Sequence, residues 1–286
     1  MFEKWTDQGK RENLHILLWI GLITVLLLLL SVAGSIRNGE EPSQDITEAE
    51  KAEPRAMAVP LNETLSDEII LSSGDKEFLT QLTWLFDQGD LEGAARLLNS
   101  YDIPWKEFPC MYDGAAMRGK ISSGKGLVFV KAFTVFYGNF EYGKPEGECA
   151  ALQILELEEG KRYDYSYGTW ESGKMNGNGE CGYNYYDGVA EDVTKLNAKR
   201  AVFKDDLMQG EITYTSTNAE GGASVWQFQV SDGVIVKDER WIQDRDSSGA
   251  VIYKLMAKDD DVHAYTLGEN AMGEVRWKNL ILFPYV

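Results

Sequence analysis

Four stretches of this sequence carry residue types that do chemistry in proteins. Gly177-Asn-Gly179-Glu-Cys-Gly182 reads as G-x-G-x-x-G, in which glycines let a pyrophosphate approach backbone amides. Asp244-x-Asp246-x-Ser248-Gly249, with Val251 in the apolar eighth place, follows the opening of a calcium loop. Asp259, Asp260 and Asp261 precede His263, and an aspartate beside a histidine can orient a general base. Tyr163, Tyr165, Tyr167, Trp170, Tyr183 and Tyr185 crowd one region and could offer rings to a sugar or to a protein.

Each chemistry makes a demand on its surroundings. A dinucleotide cradle must follow a strand and open a helix, whereas "YNYYDG" follows here and reads as strand and turn. The calcium loop needs a bidentate Glu in its twelfth place, which holds Leu255, so a hairpin turn joining "DERWIQ" to "AVIYKLM" accounts for the same residues. His263 has no serine elbow or reactive-cysteine context beside it and reads as part of a solvated acidic turn. Carboxylates are abundant, but none are marked out as a glycosidase pair. Cys110, Cys149 and Cys181 lack C-x-x-C spacing. Cys149 and Cys181 are expected as buried core residues, with a disulfide as the alternative. No cofactor, metal site or catalytic residue is expected.

The elements that hold these residues come from a repeat. Phe136-x-Gly138-x-Phe140-x-x-Gly143-Lys144-x-x-Gly147 superposes on Ser166-x-Gly168-x-Trp170-x-x-Gly173-Lys174-x-x-Gly177-x-Gly179. Weaker copies stand at Tyr112-x-Gly114, at Phe203 with Gly210, and at Tyr265 with Gly268 and Gly273. The pattern resembles the MORN repeat, Y-x-G-x-W-x-x-G-K-x-x-G-x-G, over roughly residues 110 to 280, as an irregular member with stretched spacing. The resemblance implies stacked antiparallel hairpins and a role in protein association or membrane attachment. Physically, the aromatic at the fifth position would pack beneath the next hairpin, with the first glycine leaving room for it and Gly-Lys making the turn. Alternation places Tyr163, Tyr165 and Tyr167 on one strand face, as sheet core or as an exposed platform.

Ahead of the repeats, "SSGDKEFLTQLTWLFDQGDLEGAARLLNS" reads as a helical hairpin, capped by Ser73 or Asp75 and broken at Gln88-Gly89-Asp90. At the N-terminus, Leu14 to Gly34 holds no Asp, Glu, Lys or Arg and is long enough to span a bilayer as an uncleaved anchor, with a secretion signal cut at the small-x-small Ser31-Val32-Ala33 as the alternative. Lys4, Lys10 and Arg11 precede it while Glu40, Glu41 and Asp45 follow, so the positive-inside rule keeps the N-terminus cytoplasmic.

The expected organisation is a cytoplasmic tail (1–13), a transmembrane helix (14–34), an acidic flexible linker (35–72), a helical hairpin cap (73–109) and a mainly β, elongated meander of MORN-like hairpins (110–286). With 46 acidic against 28 basic residues, a formal charge of -18, the chain is not expected to bind nucleic acid or to grip anionic lipid through its sheet. The function expected is a non-enzymatic scaffold in the cell membrane, single-pass, with its C-terminal domain extracytoplasmic and bound to a protein partner. The alternatives are a cell-wall glycan-binding module using the tyrosines and a hydrolase using acidic residues.

Overall fold

Strand alternation over residues 124–236, punctuated by two-residue turns such as 142–143, 172–173, 205–206 and 232–233, dictates an antiparallel meander. The computed structural model describes residues 68–105, 109–130, 134–187, 193–258, 262–269 and 280–284. The expected tail, span and most of the linker lie outside the described residues, as do Gly273 and Asp259 to Asp261. All described residues belong to the unit Glu63–Val286. The fold starts before the expected linker ends, because strand β1 (Glu68–Ile69) pairs with β3 (Met117–Arg118).

Helices α1 (Ser73–Asp87) and α2 (Leu91–Ser100) form the expected hairpin. Ser72, rather than Ser73 or Asp75, caps α1. Its hydroxyl accepts from Asp75 N at 3.2 Å while Asp75 Oδ2 accepts from Ser72 N at 2.8 Å, a reciprocal capping box. Gly89 (φ +70) ends the turn that follows α1, and Asp90 caps α2 by accepting from Gly93 N at 2.8 Å. Phe78, Leu79, Leu82, Leu85 and Phe86, with Ala94, Ala95 and Leu98, turn one apolar face towards the sheet.

The fold is mainly β: a 12-stranded antiparallel meander beside the two helices. Strands β2 (Cys110–Tyr112), β4 (Gly124–Val130), β5 (Thr134–Glu141), β6 (Lys144–Leu157), β7 (Gly160–Glu171) and β8 (Lys174–Asp187) follow β1 and β3 across it. The sheet continues with β9 (Leu196–Lys204), β10 (Leu207–Thr217), β11 (Ala223–Ser231) and β12 (Val234–Val236), each beside its predecessor. A separate three-stranded sheet holds β13 (Ile242–Arg245), β14 (Val251–Met256) and β15 (Ala264–Gly268).

The hairpins repeat in geometry. Both turn residues take positive φ at Tyr142-Gly143, Ser172-Gly173, Asp205-Asp206 and Asp232-Gly233. Two consecutive left-handed residues make the type I′ turn, whose twist matches that of the flanking strands. Neighbouring turns are tied at equivalent positions: Gly173 N donates to Pro145 O (3.0 Å), Asp206 N to Met175 O (3.1 Å) and Gly233 N to Met208 O (2.9 Å). The repeat glycines Gly138 (φ +149) and Gly168 (φ +147) sit where the register shifts, and a Cβ on them would stand 2.6 Å from Glu148 O and 2.4 Å from Asn178 O. Only glycine allows that backbone approach. Phe140 and Trp170, two places later, are equally buried.

The structure adjusts the repeat reading in three ways. Lys144 and Lys174 open strands rather than occupy turns. Tyr265 and Gly268 lie in the separate sheet, so that stretch is no hairpin of the meander. The turn at Asp232-Gly233, which the repeat comparison did not include, is a true one: an Asp-Gly pair between alternating runs.

The sheet buries side chains on both faces. Val128, Phe136, Ala151, Trp170, Met175, Cys181, Phe203 and Phe228 share one face with Tyr253, Leu255 and Leu267 of the small sheet and with Ile281 and Phe283 of the C-terminal segment. Leu127, Phe129, Val135, Tyr137, Leu152, Ile154, Tyr163 and Tyr165 share the other with the two helices.

Candidate functional site

On the helix-bearing face, strand parity stays fixed while polarity changes. Along β6 the residues run Ile154, Leu152, Ala150, Glu148; along β7 they run Tyr163, Tyr165, Tyr167, Thr169. Burial falls in the same direction, towards the type I′ turns. Where the helices no longer cover the sheet, a groove of about 510 Å³ opens, lined among others by Glu148, Tyr167, Glu180, Arg200, Glu211 and Thr213.

Glu180 on β8 is the hub of this groove. Its Oε1 accepts from Tyr165 Oη at 2.9 Å, and its Oε2 accepts from Arg200 Nε and Nη2 at 3.0 and 2.7 Å. Burial, reinforced by the Glu180 carboxylate, pushes the Tyr165 and Tyr167 hydroxyls above the ordinary phenol range, so both stay protonated donors at neutral pH. The hydrogen bond to Glu180 holds the Arg200 guanidinium above its usual value. Glu148 Oε1 accepts from Thr169 Oγ1 at 2.8 Å. The Tyr167 ring stacks on Tyr165, with centroids 6.0 Å apart and planes at 14°, and remains 39% exposed.

Among the aromatics singled out from sequence, Tyr163, Tyr165 and Tyr167 do share a face. Tyr163 is buried beneath the helices, where its hydroxyl accepts from Asn184 Nδ2 at 3.2 Å, and Tyr165 is buried as well. Trp170, Tyr183 and Tyr185 lie on the opposite face. Trp170 packs edge-to-face on Phe136 at 5.7 Å, while the Arg162 guanidinium sits 4.6 Å from the Tyr183 ring and 5.6 Å from that of Tyr185. An exposed platform of six rings is therefore not present; of the six, Tyr167 is the most exposed, at 39%. Sequence reading missed Glu148, Glu180, Arg200 and Thr213, because cross-strand register brings them together. Of the repeat glycines, Gly138, Gly143, Gly147, Gly168, Gly173 and Gly177 take positive φ and shape turns or bulges. Gly179 instead leaves room for Met175 and Phe203. Lys144 lies beside the turn, and Lys174 Nζ approaches Asp205 at 3.7 Å.

The opposite face holds a second polar group. Arg162 Nε lies 2.8 Å from Asp164 Oδ1, Lys199 Nζ donates to Asn197 Oδ1 at 2.6 Å, and Asn197 Nδ2 donates to Tyr214 Oη at 2.7 Å. Ser166 Oγ accepts from Ile281 N at 2.9 Å, which ties the C-terminal segment down. Burial lowers the Lys199 pKa against the pull of Cys181 and Asp164. These groups knit core rather than face solvent.

The remaining motifs resolve structurally. Cys110, Cys149 and Cys181 are free and buried, and burial raises the thiols to about 12, about 11 and about 12, so they stay protonated and poorly nucleophilic. Asp246 Oδ1 accepts from Ser248 N, Ser248 Oγ and Ala250 N at 2.8, 2.6 and 3.0 Å, closing the hairpin between β13 and β14. Asp244 pairs with Lys254 at 2.6 Å. Gly177, Gly179 and Gly182 lie within β8, which continues to Asp187 instead of opening a helix. A scan against protein-family models finds no match, and no curated protein matches in sequence.

Proposed function

We propose that this chain is a non-catalytic, membrane-anchored interaction protein whose MORN-like hairpin stack presents the groove around Glu180 to a protein partner on the extracytoplasmic side. The carrying observation is the uncovered half of the helix-bearing face. It continues the same strands as the covered half, yet offers a ring, paired carboxylates and hydroxyls to solvent. Support for the MORN-like reading comes from the recurring type I′ turns and the turn-to-turn bonds. The anchoring half rests on the uncharged apolar run Leu14 to Gly34 and the basic residues before it. A non-catalytic role fits the buried, protonated thiols and the Glu180 carboxylate already held by Arg200 and Tyr165.

The test is photo-crosslinking in intact membranes. A benzoylphenylalanine at position 167 should yield a discrete protein adduct, and one at exposed Glu220, in the β10–β11 connection, should not. Equal adducts at both positions, or none at 167, overturn the groove assignment. An adduct to polysaccharide at 167 would support the glycan alternative, for which Tyr167 is the accessible ring.

A further inference from the structure

Resting on that reading, we infer that the groove takes a lysine- or arginine-bearing segment of its partner. The argument is charge complementarity joined to an open aromatic face. Glu148, Glu180 and Glu211 line the groove against the single guanidinium of Arg200. Arg200 is spent on Glu180, at 2.7 Å. The next guanidinium, Arg240, reaches Glu211 at 3.3 Å, but it is committed to Asp238 at 2.6 Å. Among the described residues, the hydrogen-bond partner of the Glu148 side chain is the neutral Thr169 hydroxyl. The groove therefore keeps a negative excess that an incoming cation would neutralise, within a chain of formal charge -18.

Tyr167 adds the second half. Elsewhere in the fold, tyrosine rings are faced by internal cations: Lys125 over Tyr137 at 5.0 Å, Arg96 over Tyr186 at 5.2 Å and Lys237 over Tyr253 at 4.1 Å. Among the described residues no cation sits over the face of the Tyr167 ring, which is 39% exposed, while Arg200 and Glu180 lie at its hydroxyl. A partly exposed ring in a groove where carboxylates outnumber guanidinium groups recognises an ammonium or guanidinium group, and disfavours phosphate or an acidic polymer.

The test titrates the full-length chain with a capped, fluorescein-labelled octapeptide of alternating glycine and lysine. A glycine–glutamine octapeptide and a neutral chito-oligosaccharide serve as controls. The lysine peptide should bind and the glutamine peptide should not. Tyr167→Ala, Glu148→Gln and Glu211→Gln should each weaken binding about threefold, and Tyr167→Phe should leave it unchanged. Lysine-peptide binding that none of these variants alters would reflect overall charge and overturn the inference. Binding of the saccharide with loss in Tyr167→Ala, and no response to either glutamine variant, would keep the groove but overturn its cationic ligand. Failure of the lysine peptide to bind overturns the inference as well, while the crosslinking at position 167 still judges the groove itself. Glu148 and Glu211 are exposed, so their glutamine variants fold as the parent does and keep the test decisive even where Tyr167→Ala does not fold.

Discussion

The two halves of the helix-bearing face are built on the same strands with the same side-chain parity, and they differ in what lies above them and in the polarity of the residues that meet it. Under the helices, Leu152, Ile154 and Tyr163 are buried. A few residues along, Glu148, Tyr167 and Thr169 meet water. The covered half is fastened at its corners: Phe86 stacks on Tyr137 at 5.3 Å, the Tyr137 hydroxyl donates to Asp87 at 2.6 Å, and Arg96 donates to Tyr186 O at 2.6 Å. The uncovered half is held from within the sheet, by cross-strand pairs and by turns bonded to turns. Pleat decides which face a residue takes, and the change in composition along a strand records where its cover ends.

The largest contrast follows directly. Leu152→Asp places a charge beneath the helices and should cost about 4 kcal/mol or more, enough to unfold much of the population. Thr213→Asp introduces the same group opposite Arg200 on the uncovered half and should shift stability by no more than about 0.5 kcal/mol. Urea denaturation of both variants measures the difference. Similar midpoints would show that the two halves are not distinguished by cover.

Uncovered does not mean loosely built, and a pair of glycines tests this. Gly168→Ala forces a Cβ against Asn178 O at 2.4 Å in a backbone region that side chains avoid, and should cost about 3 kcal/mol. Gly210 (φ +72) lies in the left-handed region that a side chain can enter at modest cost and has open space around it, so Gly210→Ala should cost only about 1 kcal/mol. Equal losses would mean that backbone conformation alone, rather than close strand approach, makes glycine necessary at Gly168.

Much of this architecture was legible in the sequence. Glycine spacing marked the hairpins, and the stripe Phe78, Leu79, Leu82 marked α1. Alternation put Tyr163, Tyr165 and Tyr167 together, and it also puts Trp170 on the other face of the same strand. The cap was off by one residue because Ser72, Ser73 and Asp75 are all good caps, and geometry alone decides among them. The groove was not legible. Glu180 meets Arg200 through cross-strand register, and register shifts near Lys161 and Gly168 decide which side chains become neighbours. Nor could alternation tell which half of a face the helices would cover. Glycine and aromatic spacing also could not tell that Tyr265, on β15, belongs to the separate three-stranded sheet rather than to the meander.

A smaller effect concerns the fastening of the covered half. The Tyr137 hydroxyl, then Lys125, hold the Asp87 carboxyl below its ordinary value against the effect of burial. A depressed carboxylate lends stability above its unfolded pKa and loses it as pH falls through the folded value, here below 3.8. Asp87 leaves 43% of its side chain exposed, so water screens the pair and Asp87→Asn should cost about 1 kcal/mol at neutral pH. That difference should close in denaturation curves taken below pH 3.8. A gap that persists in acid would assign the loss to packing rather than charge.

Asp206, at a turn on the uncovered end, should behave with the opposite sign. Its Oδ1 accepts from Met175 N at 2.8 Å and its φ is +69. Burial raises its pKa above 3.8, and the bond from Met175 and the charge of Lys174 only partly oppose this. A raised carboxyl favours folding fully below its unfolded pKa and weakens it as pH climbs through the folded value. Asparagine tolerates the left-handed backbone, keeps an acceptor for Met175 N and carries no charge to desolvate. Asp206→Asn should therefore stabilise the protein at neutral pH by about 0.5 kcal/mol, with the gain vanishing below pH 3.8. Thermal melts of the two aspartate variants across pH should thus move apart from their parent in opposite directions as pH rises. Parallel profiles would mean that the covered and uncovered ends of the sheet place their carboxylates in the same electrostatic setting.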